Sequence, residues 1–392
     1  MAIYGIIAEY NPFHNGHLYQ INAIKQSDYD AKIVVAMSPN VVQRGDFALF
    51  DKWTRARAAL ICGADLVLEI PSTFALATAE RFALGGVSVL DAVGVDRICF
   101  GSESGNLQAL TDAVALLDDA EVKEKLKKYL SEGNTFAKAR SLAVKEKNEI
   151  AAECLNNPND ILAVEYIKAI AKLGSKIEPY LVLRKSVEHL SEIPNGEFAS
   201  ASYIRENLSE QSLIDFTPAP AAELFKAEFK NGGFSNGLES LETALVLKLR
   251  TMTKEKIAAL FDVSEGLENR IWRASREKSD LTGLCTEIKT KRYTMARIRR
   301  ILMYALLDFT KDKMNSSLPY IRVLGHNAKG LEIISRKTAK LPVITSLSKA
   351  RTLSREGEAF AELEERVSGV FALTLQNKES AKNEFSTPTI RL

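Results

Sequence analysis

A chain of 392 residues has room for two domains with separate cores, and its apolar and charged shares, 46% and 26%, are those of an ordinary globular protein. A formal net charge of +2 excludes a molecule whose whole field is built for nucleic acid, so any basic footprint must be local. Cys62, Cys99, Cys154 and Cys285 are scattered without a CxxC pair, which excludes a zinc ribbon and a disulfide scaffold and suits a reducing compartment. No apolar stretch approaches the ~18–20 residues needed to span a bilayer. The N-terminus enters a strand with no basic leader, so a cytoplasmic protein without a membrane partner is expected.

Residues 2–8 form an apolar run too short for a helix. It ends in the polar turn Glu9-Tyr10-Asn11-Pro12-Phe13-His14-Asn15-Gly16-His17, and a helix-like stretch follows over 18–25. Gly16 lets backbone approach a phosphate closely, and a new helix points free N–H groups at an anion. Two imidazoles three residues apart can then donate to phosphate oxygens as charge develops on a leaving pyrophosphate. Plainer readings are two surface histidines or two metal ligands. The metal reading lacks partners, because only His189 and His326 remain and no cysteine pair completes a tetrahedral site.

A second strand, 32–37, leads into Ser38-Pro39-Asn40-Val41-Val42-Gln43-Arg44-Gly45-Asp46, with Lys52, Trp53 and Arg55 beyond. This reads either as a polar loop before a solvated helix or as the wall of a crevice. In the second case Gln43, Arg44 and Lys52 can engage phosphate or carboxylate, Arg44 with a two-pronged hold. Strand 65–70 brings Glu69, and the stretch after it Glu80, as further candidates to face a site. Strand 97–101 runs into Gly101-Ser102-Glu103-Ser104-Gly105, an ordinary glycine turn or a place where a base packs on backbone. Asn157-Pro158-Asn159-Asp160 precedes a helix over 161–173, with Asn159 or Asp160 as its N-cap. Arg184 follows the last strand, 179–183, and Ser200-Ala201-Ser202-Tyr203-Ile204-Arg205 is a serine-rich helix start. Alternating strands and helices up to about Leu208 predict an α/β fold with a parallel sheet covered on both faces. Ligands of such sheets bind at the carboxyl ends of the strands, where three of these polar turns lie.

Around Thr217-Pro218-Ala219-Pro220 the pattern changes to helices, at 241–250, 254–260, 268–278 and 294–309. The expected domains are 1–212 and a mainly helical 213–392, with one strand-like piece at 320–324, a charged helix at 358–367 and a frayed tail from Ala381. The segment 289–300 carries Lys289, Lys291, Arg292, Arg297, Arg299 and Arg300 with no acid and with Tyr293 interleaved. Arg297 and Arg300 share a helix face; Ile298, Ile301, Leu302 and Ala305 form an apolar stripe. Such a run is either a solvated face or a track for an RNA backbone, and the absence of acids favours RNA.

His14-Asn15-Gly16-His17 resembles the HIGH motif of the nucleotidyltransferase superfamily. The wider run from Ala8 to His17, Gln43-Arg44-Gly45, the pattern around Lys52-Trp53 and Arg55, and Pro319-Tyr320-Ile321-Arg322-Val323-Leu324-Gly325 resemble the tRNA(Met) cytidine acetate ligase family along nearly the whole chain. Where that family usually has Ser-Gly-Asn-Phe, this chain has Ser38-Pro39-Asn40-Val41, and proline removes a donor and fixes the backbone. The resemblance implies a Rossmann-like (HUP) nucleotidyltransferase domain followed by a helical tRNA-binding domain. It implies ATP contacts from Ile7, Ala8, Glu9, Tyr10, Asn11, Pro12, Phe13, His14, Asn15, Gly16, His17, Leu18, Tyr19, Gln20, Gly101, Asn159 and Arg184, with His14 and His17 on the phosphates. Ser200, Ser202 and Arg205 resemble the superfamily's second phosphate motif, and Lys289, Lys291, Arg292, Arg297 and Arg300 fall in the family's tRNA-binding part. The implied reaction activates acetate with ATP, accompanied by magnesium, as acetyl-adenylate and acetylates the wobble cytidine of elongator tRNA(Met). Acetate and the particular tRNA rest on the resemblance alone. The first domain by itself equally suits a nucleotidyltransferase that joins ATP to a phosphorylated metabolite, which leaves the basic helix unexplained; a binding protein on a degenerate version of the fold is a third reading, against which the intact His14, Gly16 and His17 speak.

Overall fold

The computed structural model describes residues 2–184, 194–264, 266–290, 293–314, 317–336, 338–378 and 384–392. Its strands are β1 (Ile3–Ala8), β2 (Lys32–Met37), β3 (Val41–Val42), β4 (Asp46–Phe47), β5 (Leu66–Glu69), β6 (Arg97–Ser102), β7 (Glu178–Leu183), β8 (Ile321–His326), β9 (Val343–Ile344) and β10 (Ile390–Arg391). Every residue of β2 and β5 is buried, as expected of strands covered on both faces. The main sheet has the order β10-β8-β5-β2-β1-β6-β7, with β9 beside β8. From β7 to β5 it is parallel, Ile3 facing Lys32 and Arg97 facing Glu178. The chain leaves β1 toward β2 on one side and takes up β6 on the other, so the order reverses at β1, where ligands of open α/β sheets bind.

Strand alternation divides the interior between two cores. Ile3, Val34, Ala36, Leu66 and Leu68 face one, together with Val87 and Leu90 of helix Ala79–Ala92 and Val164 of helix Pro158–Leu173. Tyr4, Ile6, Ile33, Val35 and Val67 face the other, with Ile21 of helix Asn15–Ser27 and Leu60 of helix Lys52–Ile61. Helix Ala219–Lys230 joins this second core, its Phe225 stacked on Phe50 at 4.8 Å. Leu245, Leu249, Ile271 and Ile301 of the later helices extend the first core. Among the described residues no helix is long and apolar enough to cross a membrane, and all four cysteines are free and buried.

The second half of the chain is mainly helical, as expected, but it also returns to the sheet. The strand-like piece near 320 is β8, fully buried and antiparallel to β5, and β10 pairs beside it. The expected boundary at 212/213 therefore does not divide the sheet, which the later residues complete. Nor is the tail frayed where it is described. Glu384 is 2% exposed and ion-paired to Lys52 and Arg322, each at 2.6 Å. Glu69 pairs with the same two cations, with Arg322 at 3.0 Å. Two cations and two carboxylates thus balance between β5, β8, the tail and the start of helix Lys52–Ile61. Lys52 and Glu69, candidates for a ligand site from sequence, are consumed in this structural cluster, and Glu80 is exposed.

Candidate active site

At the carboxyl end of β1 the polar turn leads into helix Asn15–Ser27, and the two histidines build its first turn. His14 is the N-cap; its Nδ1 accepts from the Gly16 N–H at 3.1 Å. His17 Nδ1 accepts in return from the His14 N–H at 3.1 Å. Imidazoles thus stand where a capping box has a hydroxyl and a carboxylate. A ring whose Nδ1 accepts carries its proton on Nε2 when neutral, so both keep an Nε2–H donor. The rings stack at 3.7 Å, and a Cβ on Gly16 would lie 2.9 Å from His14 Cε1, which is why the residue between them must be small.

Both rings are held neutral. Burial, then Arg184 and Arg205, lower His14 to about 3; burial, then His14 and Arg184, hold His17 well below the ordinary imidazole value. The unfolded chain therefore takes up protons before the folded one as the pH drops below about 6.5. The linked stability is complete above that pH and is lost progressively toward about 3. For His14 alone the loss approaches about 1.4 kcal/mol per pH unit. Urea midpoints of the ligand-free protein should fall between pH 7 and pH 5 more steeply than in a His14→Ala variant, and parallel curves would disprove the assignment.

The histidines line a cavity of about 1140 Å³. Of the residues expected on ATP, it is lined by Ile7, Ala8, Glu9, Asn11, His14, Gly16, His17, Tyr19, Gln20, Gly101, Asn159 and Arg184. Tyr10, Pro12, Phe13, Asn15 and Leu18 do not line it. Tyr10 and Phe13 are buried and brace the His17 ring at 4.7 and 5.5 Å, and Asn15 donates to the Glu197 carbonyl at 2.8 Å. At one end Arg184 donates to Asn159 Oδ1 at 3.1 Å. The N-cap of helix Pro158–Leu173 is Asn157, not Asn159 or Asp160, because Pro158 takes the first helical position. Asp160 is instead fully buried, accepting from Ser102 Oγ at 2.5 Å and from the Glu103 and Ser104 N–H groups at 3.2 and 3.1 Å. Glu103 reciprocates on the Asp160 N–H at 3.0 Å, and this clasp fixes the turn that starts at Gly101.

Ser200, Ser202 and Arg205 also line the cavity. Ser200 caps its helix by accepting from the Tyr203 N–H at 3.1 Å, and Arg205 donates to the Asn11 carbonyl at 2.7 Å and Ser202 Oγ at 3.1 Å. Among the described residues neither Arg184 nor Arg205 is ion-paired, and burial lowers both. Two half-buried guanidiniums that form no ion pair, beside two donor imidazoles, form a receptor for a polyanion.

The far wall comes from Gln43, Arg44 and Asp46 and from the second half of the chain, with Asn236, Gly237, Glu239 and Arg299. Arg299 bridges Asp46 at 2.5 Å and Glu239 at 2.7 Å. The Gln43–Asp46 loop lies directly on helix Met295–Leu307: Gly45 has φ +82°, and a Cβ there would sit 2.5 Å from the Arg300 amide nitrogen. The basic run is accordingly not a free cationic face. Arg300 is buried and donates to the Gln43 carbonyl at 3.1 Å, Arg297 pairs with Asp262 at 3.0 Å, and Tyr293 is buried. Lys289 is exposed; Lys291, Arg292 and His189 lie outside the described residues. Ile298, Ile301, Leu302 and Ala305 are buried as the apolar stripe predicts.

The family described as HIGH Nucleotidyl Transferase matches residues 1–385. The tRNA(Met) cytidine acetate ligase of Thermoanaerobacter sp. (strain X514) is 40% identical, with 100% of both chains covered. That of Alkaliphilus metalliredigens (strain QYMF) is 37% identical over 98% of this chain and 97% of the relative. The chain belongs to the tRNA(Met) cytidine acetate ligase family. Among solved structures, apo TmcAL of Thermotoga maritima superimposes with a TM-score of 0.94 at 32% identity, and the same protein bound with alpha-thio ATP with a TM-score of 0.90, both over 100% of each chain.

Within this ligase fold Arg55, named from sequence without a role, braces the site from behind. Arg55, fully buried, donates to the carbonyls of Glu9 at 2.6 Å, Ser38 at 3.1 Å, Phe50 at 2.9 Å and also Pro39. It ties the end of β1 to the end of β2, and Pro39 contributes a carbonyl, which proline retains. The sequence offered Arg55 only as part of the pattern around Lys52-Trp53, because the carbonyls it holds lie at up to 46 positions' distance.

Proposed function

We propose that this protein is an ATP-dependent ligase that activates acetate as acetyl-adenylate and transfers the acetyl group to the exocyclic amine of the wobble cytidine of elongator tRNA(Met). The observation that carries the reading is the pair of neutral, Nε2–H-bearing histidines that share a cavity with two half-buried arginines free of ion pairs. An acetate oxygen attacks the α-phosphorus, the bond to the β,γ-phosphates breaks, and pyrophosphate leaves with the electron pair. His14 and His17 donate to the phosphoryl oxygens as their charge rises, without a proton changing hands, and Arg184 and Arg205 hold the remainder. Ile7, Ala8, Gly101 and Asn159 pack the nucleoside. The groups along the phosphate path are mostly donors, so they suit magnesium entering on the oxygens of its own ATP rather than a protein cage. No nucleophilic side chain is required, since positioning and charge stabilisation suffice for an adenylate mechanism.

Residues 1–212 supply the activating half. The helices after 213 present the RNA, with the exposed Lys289 and the neighbouring cations Lys291 and Arg292 as its contacts, while Arg300 holds the Gln43 carbonyl of the cavity wall. The four free, buried cysteines suit work in the cytosol. The test is pyrophosphate release from ATP with a panel of small carboxylates, with and without bulk tRNA. Release that needs acetate, with labelled acetyl passing into tRNA, is expected. Release with a phosphorylated metabolite and indifferent to RNA would make the protein a cofactor-type nucleotidyltransferase instead, and RNA retention without any release would make it a binding protein.

A further inference from the structure

A cavity of about 1140 Å³ exceeds the roughly 300–1,000 Å³ that a single small-ligand site occupies, and its far wall lies beyond the histidines. Transfer to an aromatic exocyclic amine requires that the nitrogen lose a proton as it bonds to the acyl carbon. The carboxylates lining the cavity are Glu9, Asp46, Glu206 and Glu239. Asp46 and Glu239 are both held by Arg299, and Glu206 is exposed at the rim. Glu9 differs from all three. It is half-buried at the end of β1, one carboxylate oxygen, Oε1, accepts from the Gln43 N–H at 2.8 Å, and among the described residues its other oxygen has no partner and no ion pair forms.

The side chain is fixed from two directions. Arg55 holds the Glu9 carbonyl at 2.6 Å, and the loop that supplies the Gln43 N–H is held by Arg300 on the Gln43 carbonyl at 3.1 Å. Arg205, Arg55 and Tyr166 are the charged and titratable groups that feel it. A carboxylate with a free oxygen repels a triphosphate, so it is poorly suited to the ATP contact that its place in the motif implies. It is well suited to an N–H donor: a carboxylate accepting from the exocyclic amine is the characteristic reader of cytosine.

We propose that Glu9 is the general base of the transfer step, an inference that rests on the ligase reading above. The amine nitrogen of cytidine bonds to the acetyl carbon, the bond from that carbon to the adenylate oxygen breaks, and AMP leaves with the electron pair. The surplus proton on nitrogen passes to the free oxygen of Glu9 and then to water, leaving a neutral amide.

The experiment separates the two steps in a Glu9→Gln variant, which keeps the acceptor for Gln43. Acetate-dependent exchange of pyrophosphate into ATP without RNA reads activation. Single-turnover passage of labelled acetyl from enzyme-bound acetyl-adenylate to tRNA reads transfer. Exchange should stay within about threefold of the unmodified protein while transfer falls roughly a hundredfold, the size of a general-base contribution. Transfer that is retained overturns the proposal, and so does exchange that falls as far as transfer, which would make Glu9 a nucleotide or magnesium contact. If the unmodified protein shows no acetate-dependent exchange, the ligase reading itself fails, and that arm is measured first.

Discussion

Replacing His14 and His17 together by asparagine is expected to abolish acetate-dependent pyrophosphate release while the protein stays folded. Each ring has two separate tasks on its two nitrogens. Nδ1 closes the first turn of helix Asn15–Ser27, and Nε2–H remains for the substrate. Asparagine is among the best N-caps, so at position 14 it keeps the first task and removes the second. Loss of one preorganised donor to a developing oxyanion costs about 10²–10³ in rate. The two histidines serve the same phosphates, so their effects need not multiply. An alanine at 14 adds a stability loss of about 1 kcal/mol from the missing cap, which asparagine should not show. Release measured at saturating ATP beside the thermal midpoint decides the matter. A folded double variant that keeps more than about a tenth of the rate would leave the histidines as caps alone, given the donor effect expected.

Arg322→Met should have the largest effect on stability, about 3–5 kcal/mol, the usual result of stripping one partner from a buried ion pair. Arg322 is 2% exposed and serves both Glu69 and Glu384. Without it, two carboxylates share Lys52, beside a third, Glu364. That group, raised to about 7 by burial and by Glu69, is held by Ser72 at 2.6 Å. Adding Glu384→Gln to Arg322→Met restores one cation to one carboxylate at the centre, so the pair should cost less than the sum of its parts. Urea unfolding reads both. A single-variant cost below about 1 kcal/mol would mean that water or the tail's rearrangement solvates the cluster, contrary to the buried-pair expectation.

Much of the nucleotide half was legible because its signals are local. A strand of six residues, a polar turn and a helix start can be read from one short window, and β1 and its histidines lie where that window puts them. Gly101, Asn159 and Arg184 came from resemblance, and the cavity gathers them. What stayed hidden depends on partners far along the chain. Arg297 and Arg300 counted as free cations because no acid lies nearby in the sequence, yet Asp262 pairs with the first and the Gln43 carbonyl accepts from the second. Asp160 looked like a cap, but the groups it holds lie 56 to 58 residues away. The return of β8 to the sheet was masked for the same reason: a buried strand and a packing segment have the same composition, and its pairing partner β5 is an entire domain earlier.

That return sets the order in which the molecule can be finished. Glu69 and Arg322 are separated by 253 positions, so on the ribosome β5 emerges long before β8 exists to cover it. Until then one edge of the nucleotide sheet is open, and Lys52 and Glu69 wait with only each other. Long-range pairing of this kind is slow and leaves nascent chains exposed to aggregation. Products of interrupted synthesis would therefore carry the histidine motif without a completed sheet to hold it, and would present themselves to chaperones and proteases rather than consume ATP.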